Sequence, residues 1–375
     1  QTVASRSVSG KRKQEGVVYT PDGITAFIVE QSLGNYLNEC REAARAAYLD
    51  PKAPAGEVRY RAPTPAEKKR ARVRDAARLT EFLFWHHWRE ALSEIRVLDP
   101  ACGSGAFLVA AFDVLDAEYR QVNEQIQAIT GNPDLFDINR EILNRNLYGV
   151  DLNPESIEIT KLSLWLKTAR YGKPLQSLEA RLRVGNSLID DAAWTLRPFD
   201  WAAAFPEVTA AGGFDVVLGN PPYVRMERLK AVKPYLEKHY AVASDRADLY
   251  CYFFELGVRL LKPGGRLGYI SSSTFFKTGS GAPLRRYLLE KTQIQALVDF
   301  GDLQVFQSVT TYPAIIILER SETPDPAAEI RQLALKTLPD PSLAAVFGQQ
   351  ASLERNQKVH HYTTVHRSAP GYGSE

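Results

Sequence analysis

The stretch Phe214-Asp215-Val216-Val217-Leu218-Gly219-Asn220-Pro221-Pro222-Tyr223-Val224 decides how the rest of the chain is read. Residues 216–218 are an apolar run of the kind that forms a central strand buried on both faces of a parallel sheet. Two consecutive prolines cannot continue a sheet ladder, so the chain must turn out at that strand's carboxyl end. Open α/β sheets place their ligands at that end. The turn offers two acceptors, the Asn220 side-chain oxygen and the Pro221 carbonyl, and an aromatic face on Tyr223. Such a pair suits a planar amino group with two N–H donors. Its lone pair is delocalised and a poor nucleophile. Holding both hydrogens draws the nitrogen toward a tetrahedral shape and frees the lone pair to attack. The plainer alternative is an ordinary strand-ending turn, since Asn-Pro commonly starts one. A second motif upstream tips the balance.

That motif is Asp99-Pro100-Ala101-Cys102-Gly103-Ser104-Gly105, after the short apolar run 95–98 and at the start of a helix. Its glycines let the backbone turn tightly and approach a ligand closely. It lacks the lysine of a phosphate-binding loop and the full spacing of a dinucleotide fingerprint. Further along, Leu147-Tyr148-Gly149-Val150-Asp151 reads as a strand ending in an acid, and residues 182–188 as a third short strand and its exit, with Asn186 in the exit. Near the amino end, Tyr19-Thr20-Pro21 precedes a helical pattern over 22–48. Thr20 is a candidate cap, Pro21 suits the first turn and Asp22 the positive helix end.

With these motifs, the chain resembles the N6-adenine DNA methyltransferases, and its order of glycine loop before Asn-Pro-Pro-Tyr resembles their gamma class. That class includes type IIG restriction–modification and related phage-defence enzymes. The resemblance implies an α/β, class I S-adenosylmethionine-dependent methyltransferase fold: a seven-stranded, mostly parallel sheet with helices on both faces and an antiparallel last strand. It implies that Asn220, Pro221, Pro222 and Tyr223 are catalytic, and that Tyr223 and Phe306 stack on the target base. It assigns the cofactor, S-adenosylmethionine, to Tyr19, Thr20, Asp99, Ala101, Cys102, Gly103, Gly105, Asp151, Asn186 and Asn220. Asp151 would accept the ribose hydroxyls, and Asn186 stands where the family often has aspartate. Asp151 could instead cap the next helix, and Phe306 could be a core residue.

Composition agrees. The chain has 375 residues, 45% apolar and 24% charged, with a net charge of only +2. A DNA-facing surface must therefore come from local clusters, of which 225–240 is the candidate beside the central motif. The basic run Lys68, Lys69, Arg70, Arg72, Arg74 and Arg78 reads first as a solvated helix face. Cys40, Cys102 and Cys251 lack metal-ligand spacing and fit a reducing, cytoplasmic compartment. No apolar run approaches the length of a membrane span, so no membrane partner is expected, and no metal.

The expected organisation is a flexible lead-in at 1–15, an amino-terminal helical segment with a cofactor-binding motif at 16–93, and a catalytic core at 94–320. Residues 321–375, with a helical patch at 328–335, would begin a linker or target-recognition region. A chain that starts at Gln1 and has one methionine, Met226, reads as a piece of a longer protein. Double-stranded DNA is the expected partner. The target-recognition domain, and a nuclease if one is fused, would lie outside this chain. The competing readings are a protein glutamine N5-methyltransferase, a non-catalytic DNA-binding or assembly domain, and cytosine N4 methylation by the same chemistry. Residues 190–211 carry no assigned role.

Overall fold

In the computed structural model of the chain, the described residues are 19–70, 78–132, 136–169, 176–225, 229–306, 312–325, 327–335, 337–338, 342–348 and 359–366. The lead-in at 1–15, the basic residues Arg72 and Arg74 and the segment 307–311 lie outside them. The described strands form one nine-stranded sheet in the order β3-β2-β1-β4-β5-β7-β6-β8-β9. These are β1 (Val97–Asp99), β2 (Leu147–Asp151), β3 (Leu182–Val184), β4 (Phe214–Gly219), β5 (Leu261–Ser272), β6 (Thr292–Asp299), β7 (Pro313–Arg320), β8 (Glu329–Leu335) and β9 (Val359–His366). Strands β1 to β5 are mutually parallel, and β7 runs antiparallel between β5 and β6. The first seven strands have the expected arrangement.

The expected count of seven is corrected to nine. The expected helical patch at 328–335 is the strand β8, parallel to β6, and β9 pairs antiparallel outside it. Leucine, alanine and glutamine favour a helix weakly. The open edge of β6 offers a full ladder of backbone partners, and Ile330, Leu333 and Leu335 are buried there. Tertiary pairing overrides local propensity.

Central strands bury both faces, so alternate residues enter two cores. Val216 and Leu218 join one cluster, and Val217 joins the other. Each such side chain contributes about 1.5–3 kcal/mol on burial. Against the first face pack α1 (Asp22–Val29), α2 (Asn35–Ala46), α3 (Leu79–Ser93), α4 (Ala106–Thr130) and α5 (Pro154–Thr168). Against the second pack α6 (Leu249–Leu260) and α7 (Ala282–Lys291). A π-helical turn, Glu30–Gly34, joins α1 to α2 without a break. The unassigned stretch 190–211 forms two short helices, Trp201–Ala204 and Pro206–Ala210. Its Phe199, Phe205 and Val208 fill the second core.

Strand β4 is irregular at its entrance. The amides of both Asp215 and Val216 donate to the carbonyl of Arg96, at 2.9 and 3.1 Å. Two residues of β4 thus oppose one of its neighbour, a bulge that places consecutive side chains out of strict alternation. The register with β5 shifts at the same place. There Lys262-Pro263-Gly264-Gly265 lies within β5, with Gly264 at φ 78°.

Candidate active site at the carboxyl edge of the sheet

Four parallel strands deliver the candidate residues to one edge. Asp99 ends β1, Asp151 ends β2, Asn186 follows β3 and Asn220 follows β4. Bonds between their loops tie them together. The Gly103 amide donates to Asp151 Oδ2 at 2.9 Å. The Cys102 amide donates to the Val150 carbonyl at 3.0 Å. Ser187 Oγ donates to the Pro100 carbonyl at 2.6 Å, joining the exits of β3 and β1.

The glycine turn is built as its sequence requires. Gly103 and Gly105 adopt φ values of 54° and 84°, in the left-handed region that favours glycine. A Cβ on Gly105 would lie 2.8 Å from Thr160 Cγ2 of α5. Beside Gly103 the nearest such atom is the Ala101 carbonyl at 4.0 Å, so that residue borders open space. Thr160 Oγ1 donates to the Gly103 carbonyl at 2.9 Å and fixes the turn from below. Cys102 is buried, and its thiol is raised well above its ordinary value, by burial first and then by Asp99. Its side chain packs into the first core.

Asp99 is 1% exposed. Its Oδ1 accepts from the Ala101 amide at 3.0 Å. Burial pushes its carboxyl up to about 8, the Ala101 bond lowers it in part, and Asp151 raises it further. Gly219, the last residue of β4, makes this placement possible. A Cβ there would sit 2.9 Å from Asp99 Oδ1. Gly219 was not among the expected site residues, although it stands in the deciding stretch, because a glycine between strand and turn reads as a turn former.

Asp151 Oδ1 accepts from the Asn153 amide at 2.8 Å. The cap of α5 is Asn153, whose side chain accepts from Glu155, so Asp151 does not cap that helix. Asn186 Oδ1 accepts from the Leu188 amide at 3.2 Å, and its Nδ2 donates weakly to Thr195 Oγ1 at 3.4 Å. Its own amide donates to the Arg197 carbonyl, and Arg197 Nη1 donates to the Leu152 carbonyl at 2.7 Å. Leu152, next to Asp151 in the chain, is 55% exposed, and Leu196, next to Arg197, is fully exposed. Sequence reading missed both, because single exposed leucines are common and carry no signal alone.

The residues present fit S-adenosylmethionine. There is a bare glycine turn, a carboxylate able to accept from a diol, an amide able to pair with an aminopurine edge, and apolar surface beside it for a flat base. Among the described residues no group of three or more His, Cys, Asp or Glu is placed to hold a metal ion.

Asn220 and Tyr223 complete the edge. Asn220 Nδ2 donates to Thr20 Oγ1 at 3.0 Å. Thr20 is buried, and it is not the expected helix cap: the cap position of α1 is Pro21, with no side-chain bond to the helix. Tyr19 is 63% exposed, and its hydroxyl donates locally to Asp22 Oδ1 at 2.5 Å. Pro221 is buried and Pro222 half-buried. The Tyr223 hydroxyl is buried, lacks a hydrogen-bond partner among the described residues, and is raised above its ordinary value by burial. Phe306 is 1% exposed and meets Tyr223 edge to face, with ring centroids 6.0 Å apart and planes at 68°. A base held between parallel rings needs two van der Waals gaps, roughly 7 Å. The pair as it stands is packed rather than opened for one.

Comparison with known proteins gives a consistent picture. Residues 145–306 match the Eco57I restriction-modification methylase family. The chain is 33% identical over 260 residues to the type II restriction enzyme and methyltransferase RM.Eco57I of Escherichia coli, covering 61% of this chain and 25% of that protein. It is 30% identical over 276 residues to the type II methyltransferase M.XhoI of Xanthomonas vasicola, covering 73% of this chain and 45% of that one. The chain thus spans between a quarter and just under half of these relatives. Among solved structures, the type IIL restriction-modification enzyme MmeI in complex with DNA aligns with a TM-score of 0.57 at 16% identity, over 86% of this chain and 39% of that one. The DrdV–DNA complex aligns with a TM-score of 0.52 at 16% identity, over 97% and 31%. These likenesses show the fold. By its matched residues and by the order of its two motifs, the chain carries a gamma-class restriction-modification methylase domain of the Eco57I family.

Proposed function

We propose that this chain is the catalytic part of a site-specific DNA methyltransferase that moves a methyl group from S-adenosylmethionine to the N6 amino group of adenine, within a restriction–modification or phage-defence enzyme. The observation that carries the reading is Asn220-Pro221-Pro222-Tyr223 at the carboxyl exit of β4, beside the glycine turn and Asp99. The DNA complexes of MmeI and DrdV support DNA as the partner.

S-adenosylmethionine, when bound, supplies a reactive methyl group on a sulfonium sulfur. Gly103 would leave room for its methionine part, with Gly105 seating the turn against Thr160; Asp151 would accept from its ribose, and Asn186 would meet its adenine. Asn220 Oδ1 and the Pro221 carbonyl accept the two hydrogens of the target amino group. Tyr223 receives the face of the base, with the buried Phe306 packed edge to face against it. The base must leave the duplex to reach this edge. The bond from the amino nitrogen to the methyl would form as the methyl–sulfur bond breaks and a neutral thioether leaves, and the nitrogen would shed its proton afterwards, so no side chain has to serve as a base. The protein contributes position and electrostatics.

The chain's coverage of a quarter to just under half of its relatives supports a target-recognition domain elsewhere in the full-length protein. The test is incubation of the full-length protein with unmethylated DNA and labelled cofactor, followed by digestion to nucleosides. N6-methyladenine is the expected product. N4-methylcytosine would move the assignment to cytosine, and no methylated base on any DNA would overturn it.

A further inference from the structure

We propose that Thr20 is a positioning residue for the methyl-transfer step: its hydroxyl holds the Asn220 amide with the nitrogen inward and the oxygen presented to the target amino group. The inference rests on the methyl-transfer reading above and adds a role that the cofactor assignment of Thr20 does not contain.

A carboxamide is nearly symmetric in shape, and only its hydrogen-bond partners decide which end faces a ligand. At Asn220 the reaction needs the oxygen outward, because the substrate group is a double donor. An outward NH₂ would meet another NH₂ and repel it. The bond from Asn220 Nδ2 to Thr20 Oγ1, at 3.0 Å, engages the nitrogen end of the amide. Thr20 is 3% exposed, so this bond is shielded from competing water. The hydroxyl has no helix to cap, since the cap of α1 falls at Pro21.

Thr20 could not orient anything if its own segment were loose. The arm formed by α1, the π turn and α2 is instead gripped along the sheet. Tyr36 of α2 donates to Asp215 Oδ1 at 3.0 Å. Asp215 and Asn220 lie at the two ends of β4. The arm therefore holds β4 at its entrance through Tyr36 and at its exit through Thr20. Between them it lies close on β5. A Cβ on Gly268 would come within 2.8 Å of Ser32 Oγ and 3.0 Å of Ile28 Cγ2. The bulge in β4 and the glycine in β5 are what allow this seat. Thr20 stands just before α1 and Asn220 just after β4, so each is held by a regular element fixed on the sheet, and a catalytic side chain with a locked neighbour keeps its geometry.

The experiment uses the full-length protein with Thr20→Val, which keeps shape and removes the hydroxyl, and Thr20→Ser, which keeps the hydroxyl. Single-turnover methyl transfer is measured at saturating cofactor and DNA, with cofactor Kd by calorimetry on the same samples. Thr20→Val should slow transfer by about ten- to a hundred-fold with Kd unchanged, and Thr20→Ser should stay near the wild type. Melting of Thr20→Val, Asn220→Ala and the double variant, without cofactor, gives a second reading. Thr20→Val should lower Tm in the wild type and add little once Asn220 is alanine. Wild-type transfer by Thr20→Val would overturn the proposal. So would additive Tm losses, or a Kd that rises in step with the lost rate, which would return Thr20 to cofactor binding. A wild type that methylates no DNA sinks the functional reading itself, a different outcome from a wild type and Thr20→Val that transfer alike.

Discussion

At the entrance of β4, Asp215 accepts from the Tyr36 hydroxyl at 3.0 Å, from the Arg96 amide at 2.8 Å and from Lys262 Nζ at 2.8 and 3.0 Å. At the exit of β1, Asp99 accepts one hydrogen bond, from Ala101, and no cation pairs with it among the described residues. Both carboxyls are almost wholly buried. Burying a charge is costly unless it is paired and hydrogen-bonded. The amino edge meets that condition within the protein and anchors the arm. The carboxyl edge does not meet it, and Asp99 answers by holding its proton. The unequal treatment separates an edge whose buried carboxylate is paired within the protein from one whose buried carboxyl is not.

The largest effect that sharpens this contrast is at Asn220. Asn220→Ala should cut turnover by about a hundred- to a thousand-fold, the scale for removing one aimed hydrogen-bonding group from a transition state. Single-turnover assays read it, and cofactor affinity should stay nearly intact. At the opposite edge, Lys262→Met should lower stability by about 1–3 kcal/mol, because it strips a charged partner from a buried carboxylate. Urea unfolding reads that loss. Turnover per folded molecule should stay at the wild-type level; a fall there would mean that the two edges are not separable.

Asp99 gives the third test. Its folded-state value, about 8, lies above that of the unfolded chain. The proton it keeps adds stability that is fully present below roughly pH 4, and that is lost as pH rises toward the folded value. Asp99→Asn removes this titration and can still accept from Ala101. Its Tm should exceed the wild type's near pH 8, and the two should converge near pH 4. A wild type whose Tm falls no more than the variant's across that range would contradict the burial argument.

Legibility in the sequence differs by region. The strand–turn at 214–224 and the glycine turn are legible because local rules govern both: proline ends a ladder, and glycine permits a positive φ. The edge that holds Asp99, Asp151, Asn186 and Asn220 comes from the topology those motifs imply. The Asp215 anchor is not legible, because Tyr36 is 179 positions away and a bulge sets the side chain's direction. Thr20 carries a helix-cap signature, and the pairing of its hydroxyl with Asn220, 200 positions on, has no local signal. Strand β8 reads as a helix because Leu, Ala and Gln suit one until an open strand edge is beside them.

Calorimetric titration of S-adenosylmethionine into the full-length wild type, Asp151→Ala and Asn220→Ala, each also assayed for DNA methylation, probes the carboxyl edge as a methyl-transfer site at once. Asp151→Ala should lose cofactor binding, while Asn220→Ala should bind cofactor and fail to transfer methyl. A wild type that binds no S-adenosylmethionine, or an Asp151→Ala variant that binds it as the wild type does, would refute the assignment of this edge.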